Sequence, residues 1–165
     1  MPDSIYRYIN AIPDKRTVTA LTKIFQTIFP SDPTVKIITA TGAIALTTAL
    51  HAGKTVLLNS AAGVPVTVPP ATGSGNQFRI VLGVTVTTPS TTITVTGSTL
   101  SGIATLVSTA TANFNATAPN SIITLNGSTS GGFVGDEILL TDIAAGVYQV
   151  RILAKATSTA ISPFS

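Results

Sequence analysis

Two textures of hydrophobic and polar positions divide the chain. Through "DKRTVTALTKIFQTIFP", residues 14 to 30, Val18, Leu21, Ile24, Phe25, Ile28 and Phe29 recur at i, i+3 and i+4 among Thr, Lys and Gln, the stripe of an amphipathic helix. Asp14 or Thr17 can cap its start and Pro30 can end it, so the spacing predicts one short helix over about 15–29. From Val35 onward the apolar residues come instead in short runs: "VKIITAT", "KTVLLN", "VPVTV", "QFRIVLGVTVT", "TITVTG", "SIITLN", "EILLTDI" and "GVYQVRILAK". They are rich in β-branched residues and punctuated by Gly, Pro, Ser or Asn, which predicts strands.

The expected organisation is therefore an N-terminal arm over residues 1–34, carrying the helix, and a β domain over 35–165. Strands so short and so closely spaced indicate an all-β antiparallel sandwich or barrel. Within it, "GVTVTTPSTTITVTGS" (83–98) reads as a hairpin with "TTPSTT" as its turn. Val84, Val86, Ile93 and Val95 then face the core, and threonines stand where a strand meets water. Three strand ends look alike, "ITATGA", "ITVTGS" and "ITLNGS", but they begin at residues 38, 93 and 123. That unequal spacing argues against a solenoid or propeller. Alternation is weak through "LSGIATLVSTATANFNATAP" (100–119), which is as compatible with a long loop or edge strand as with an interior strand.

Charge sharpens the division. Only 9% of residues are charged, against about 25% in an average soluble chain. Eight of the fifteen charged side chains and four of the nine aromatic ones fall within residues 1–36. A helix of about three turns is marginal alone in water, so the arm's apolar stripe must dock, either on its own β domain or on another subunit. No apolar stretch approaches the roughly 20 residues of a spanning helix, and the N-terminus shows no secretory pattern; neither membrane insertion nor export is expected. The net charge of +3 is scattered, with Lys15-Arg16 as its longest run. Nucleic-acid binding, which needs concentrated basic charge, is not expected.

The residues offer little for catalysis. There is no cysteine, one histidine and six carboxylates. His51, in "ALHAGKT", lacks evident metal or triad partners and reads as a turn histidine between strands. Asp136, Glu137 and Asp142 are the only acids of the body. A glycosidase pair would need two of them facing across a cleft, whereas Asp136 fits a strand start and Asp142 a turn. They do not have the spacing of a Ca²⁺ loop. "ATGSGNQF" lacks the helix a phosphate cradle needs and reads as a loop before a strand. No catalytic residue, metal or cofactor is expected. Arg79 and Arg151 stand inside nearly chargeless strands, as interface anchors or as edge residues reaching water.

The segments "TTALHAGKTVLLNSAAGVPVTVPPATGSGNQFRIVLG", "ITLNGSTSGG" and "LTDIAAGVYQVRILAKATSTAISPFS" resemble small virion proteins of tailed bacteriophages, of the capsid decoration or cement type. The likeness spans about residues 40–165 and rests on texture and turn motifs. It implies a β-tulip or sandwich-like domain, commonly trimeric, on the outer surface of the capsid, with the arm lying over the major capsid protein. The family shares no active site, so no functional residues carry over. On the residues themselves, Tyr6, Tyr8, Ile9, Phe25, Ile28 and Phe29 are the expected capsid contacts of the arm. Arg79, Arg151 and Phe164 are further interface candidates, Phe164 as a latch onto a neighbour. Hydroxyls are cheaper to desolvate than charges, so a Thr-rich surface suits a homo-oligomer, a trimer or a dimer. The competing expectation is a tail-fibre or adhesin-type module that binds cell-surface glycans.

Overall fold

The computed structural model describes residues 36–108 and 111–165; the arm and its expected helix lie outside these. The described chain is mostly β. Its elements are β1 (Ile37–Ala40), β2 (Ile44–Ala45), α1 (Thr48–His51), β3 (Thr55–Leu58), β4 (Pro65–Val68), β5 (Gln77–Leu82) and β6 (Thr91–Val95). They continue as β7 (Thr99–Val107), β8 (Thr111–Ala116), β9 (Ile122–Leu125), β10 (Glu137–Ala144) and β11 (Val147–Lys155). A seven-stranded sheet has the order β1-β3-β5-β10-β11-β7-β8, and a four-stranded sheet β2-β4-β6-β9.

From β1 to β6 the chain alternates between the two sheets, and each return lays a strand parallel to the one before. Ile37 pairs with Thr55 and Thr55 with Arg79, steps of 18 and 24 residues. In the other sheet Ala45 pairs with Thr67 and Thr67 with Thr94, steps of 22 and 27. The first half is thus a coil of three windings with unequal lengths, which is why no fixed period marks it. One expectation is corrected here: the strands are not uniformly antiparallel. With β7 parallel to β11, five of the nine described pairings are parallel.

The hairpin of residues 83–98 does not form. β5 ends at Leu82 in the large sheet, β6 begins at Thr91 in the small one, and the segment between crosses from sheet to sheet. Val86, Ile93 and Val95 are buried as expected, but Val84 is exposed. Alternation tells which side of a strand is covered, and is silent on which strand lies beside it. Thr91 was read as part of the turn; it instead opens β6, fully buried, and its hydroxyl accepts a hydrogen bond from the Val64 amide at 3.0 Å. The weakly patterned stretch holds β7, an interior strand, and β8, an edge strand. Small inward residues at Gly102 and Ala104 and an outward Ile103 blurred its alternation. Gly102 is required where it stands: its φ is +153°, and a Cβ there would run into the Val150 carbonyl of β11.

Inward residues of both sheets form one core, with Val56, Phe78, Ile80, Leu140 and Val150 from the large sheet and Val66, Ile93 and Ile123 from the small. Phe78 and Tyr148 meet edge to face, centroids 6.4 Å apart. The Tyr148 hydroxyl donates to the Pro69 carbonyl at 3.0 Å, as a buried phenol must. Burial and the nearby Asp142 carboxylate push this phenol up to about 12. Tyr148→Phe removes the donor and leaves the carbonyl unpaired, so urea unfolding should show a loss of about 1 kcal/mol.

Candidate interaction surface

The side chains that could meet a partner follow from strand parity. In β11, Tyr148, Val150, Ile152 and Ala154 are buried, so Gln149, Arg151, Leu153 and Lys155 point outward. Register then sets their neighbours. One row of the outer face crosses all seven strands: Ile37, Thr55, Arg79, Leu139, Arg151, Ile103 and Asn115. The next contains Leu57, Val81, Glu137 and Leu153. Arg79 and Arg151, seventy-two residues apart in sequence, thus flank Leu139, with about 10 Å between their strands.

The two arginines are engaged differently. Arg79 forms a forked pair with Glu137, Nε to Oε1 at 3.0 Å and Nη2 to Oε2 at 2.7 Å, and donates to Thr55 at 3.2 Å. The bonded carboxylate raises the Arg79 pKa, and the guanidinium holds Glu137 below the usual carboxylate range. Both side chains remain well exposed, at 48% and 37%, so the pair orients its groups more than it stabilises the fold. Arg151 makes no hydrogen bond or ion pair among the described residues. Beside it stand Leu153, 63% exposed, and Ile103, 40% exposed. At the ends of β7 and β11 a groove of about 690 Å³ opens, lined by the outward Val107, Leu153 and Lys155 together with Phe133 and the buried Asp136 and Ala154.

Electrostatics give this face a sign, because two of the three described acids are turned inward. Asp136 is buried before β10, where its carboxylate accepts from the backbone amides of Gly132, Phe133 and Lys155 at 2.8–3.1 Å. Burial raises its pKa, partly offset by those amides. It stands one position before the strand start its sequence context suggested, since β10 begins at Glu137. Asp142 does not make a turn, as its sequence context suggested. It lies within β10, buried, and its carboxylate is wrapped by the loop after β4: the Thr72, Gly73 and Ser74 amides and the Thr72 and Ser74 hydroxyls all donate to it at 2.6–3.2 Å. The glycine-bearing loop "ATGSGN", read from sequence as a plain loop before a strand, cradles an anion without any helix, with Gly73 at φ +80°, and its anion is the chain's own side chain. Burial alone would raise the Asp142 pKa, but the Ser74 hydroxyl and the three amides outweigh it and hold it far below the carboxylate range. Glu137 is then the one acid facing water among the described residues, against Lys36, Lys54, Arg79, Arg151 and Lys155.

The remaining sequence candidates are placed as follows. His51 lies between two strands as expected, at the end of the one-turn α1; it is buried, with Nδ1 accepting from the Thr47 amide at 2.9 Å. Phe164 is not offered to a neighbour. It is 9% exposed and belongs to the chain's own core, and the tail pairs with β9 through an Ile123–Phe164 bridge. Tyr6, Tyr8, Ile9, Phe25, Ile28 and Phe29 lie outside the described residues. Leu139, Leu153 and Ile103 were not singled out from sequence. For Leu153 the signal was present, since "RILAK" puts Leu on the same parity as Arg and Lys.

The small sheet presents a different outer face. Thr67 pairs with Thr94 and Thr92 with Thr124, an uncharged ladder of hydroxyls. Here the threonines do occupy the positions that meet water. Among the described residues, no group of three or more His, Asp or Glu is placed to hold a metal, and no helix is long and apolar enough to cross a membrane. What the large sheet presents chemically is exposed apolar side chains at Leu153 and Ile103, a fork that orients one arginine, and a second arginine that has no partner among the described residues. No protein-family model, curated protein or solved structure matches the chain.

Proposed function

We propose that the chain is a structural virion protein: a capsid decoration protein of the tailed-bacteriophage type, acting without catalysis, with the two sheets as a sandwich-like body. The observation that carries this reading is the outer face of the large sheet, where exposed Leu153 and Ile103 adjoin Arg151, which has no partner among the described residues. Apolar and arginine groups together are the anchors of protein interfaces, and the positive surface suits a partner with carboxylates around an apolar centre. That partner is the major capsid protein on the outside of the shell. The arm adds contacts through Tyr6, Tyr8, Ile9, Phe25, Ile28 and Phe29. Subunits that bind only the expanded shell stabilise it by mass action, through many joints each of modest strength.

Stoichiometry tests the assignment. Quantitative mass spectrometry of virions purified from a culture producing this chain should find it at a copy number near that of the major capsid protein. A few copies per particle would move it to the tail as a glycan-binding module, and absence from particles would remove both readings. The face itself is tested with Leu153→Glu, which puts a negative charge on a side chain the fold leaves exposed. Capsid binding in a sedimentation assay should weaken at least tenfold with an unchanged melting temperature; unaltered binding would exclude this face.

A further inference from the structure

We propose that β8 is a self-pairing edge, through which a second copy of this chain extends the large sheet across a two-fold axis. The two sheets have four edges, and the described residues blunt three of them. β1 has four residues and β2 two. β9 is covered by the chain's own tail, with the Ser121 and Ile122 amides donating to the Ser165 carbonyl and Thr124 to that of Pro163. Short edges and covered edges are the usual protections against strand addition.

β8 has neither. It runs for six residues, Thr111–Ala116, paired to β7 in continuous register without a bulge. Its sequence, "TANFNA", contains no Lys, no Pro and no charge, so none of the devices that repel a second strand is present. An unprotected edge of this length is a template for pairing.

The strand also complements itself. A two-fold axis perpendicular to the sheet keeps inward residues inward and pairs the strands antiparallel. Centred on Phe114, it sets Phe114 beside its own copy and Ala112 opposite Ala116, on the side where Phe114 already packs against the core. On the outer side it sets Asn113 opposite Asn115. Asn113 accepts from the Thr105 hydroxyl at 2.8 Å through its carbonyl oxygen, leaving its NH₂ to offer. The Asn115 side chain makes no hydrogen bond among the described residues, so its carbonyl can accept. Strand pairing alone buries less than a standard interface, so the dimer should form and dissociate with concentration. This inference does not depend on the capsid reading.

The test uses the full chain. Light scattering coupled to size exclusion should show the mass rising from 16.8 kDa toward twice that value with concentration. The double variant Asn113→Lys, Asn115→Lys places lysines opposite lysines across the joint while both side chains point to solvent, and should stay monomeric with an unchanged circular dichroism spectrum. Because the chain has no cysteine, register can be read directly. Mixing the Asn113→Cys and Asn115→Cys variants under mild oxidation should give at least fivefold more cross-linked dimer than either alone. A wild-type monomer at every concentration, an oligomer that survives the lysine pair, or cross-linking no greater in the mixture would each overturn the proposal.

Discussion

Asp142→Ala is expected to lower the stability of the β body by about 3–5 kcal/mol, the cost of removing one partner from a buried, charge-assisted network. For a body of this size that is a fall in melting temperature of about 10 °C or more. The reason is the number of donors that depend on this carboxylate. Thr72, Gly73 and Ser74 point three amides and two hydroxyls at it, and alanine leaves them without an acceptor. The contacts span the chain: the loop precedes β5, and Asp142 sits on β10, β5's partner in the large sheet. Losing them frees the loop that leads into a central strand. Asp142→Asn keeps one acceptor oxygen but turns an NH₂ toward the donors, so an intermediate loss is expected.

The same network sets the acid limb of stability. Because the folded state holds Asp142 below its unfolded value, its stabilisation is complete above the ordinary carboxylate range near 4 and is lost as pH falls below it. Asp136 acts in the opposite sense. Its raised folded value means that its contribution is present below the unfolded value and lost as pH rises through the folded one. Urea midpoints between pH 5 and 2 should therefore fall steeply for the wild type and less for Asp142→Asn. Parallel curves would show that Asp142 is not the controlling group.

How much of this was readable beforehand depended on the distance between cause and effect. Strands such as "KTVLLN" and "GVYQVRILAK" were legible because burial on one side writes itself into the residues of that strand. Arg79 and Arg151 stood out because charge is rare in the body. The companions of each strand were not legible: β5 and β6 lie a few residues apart yet join different sheets, and the face that unites Arg79 with Arg151 exists only through β10 between them. Asp142 was misread for the same reason. Its neighbours "TDIAAG" suggest a turn, while the loop that needs its charge lies about seventy residues away.

Removing residues 161–165 should have the other large effect, a loss of about 4 kcal/mol accompanied by association. The tail supplies Phe164, buried in the core, and its burial alone accounts for about 3 kcal/mol by analogy with large-to-small core substitutions. It also supplies the backbone acceptors at Pro163 and Ser165 that satisfy the outer side of β9, and Ser165 donates back to Ile122. Phe164→Ala separates the two contributions, since it creates the cavity while leaving the backbone ladder in place. That variant should be destabilised but no more associated than the wild type. The truncation should be destabilised further and, with "IITL" uncovered along a free edge, should scatter light as a polydisperse population. Its association should persist when Asn113→Lys and Asn115→Lys are added, because the new edge belongs to the other sheet. A truncated chain with the wild-type urea midpoint would mean that β9 needs no cover, and would remove the contrast that singles out β8.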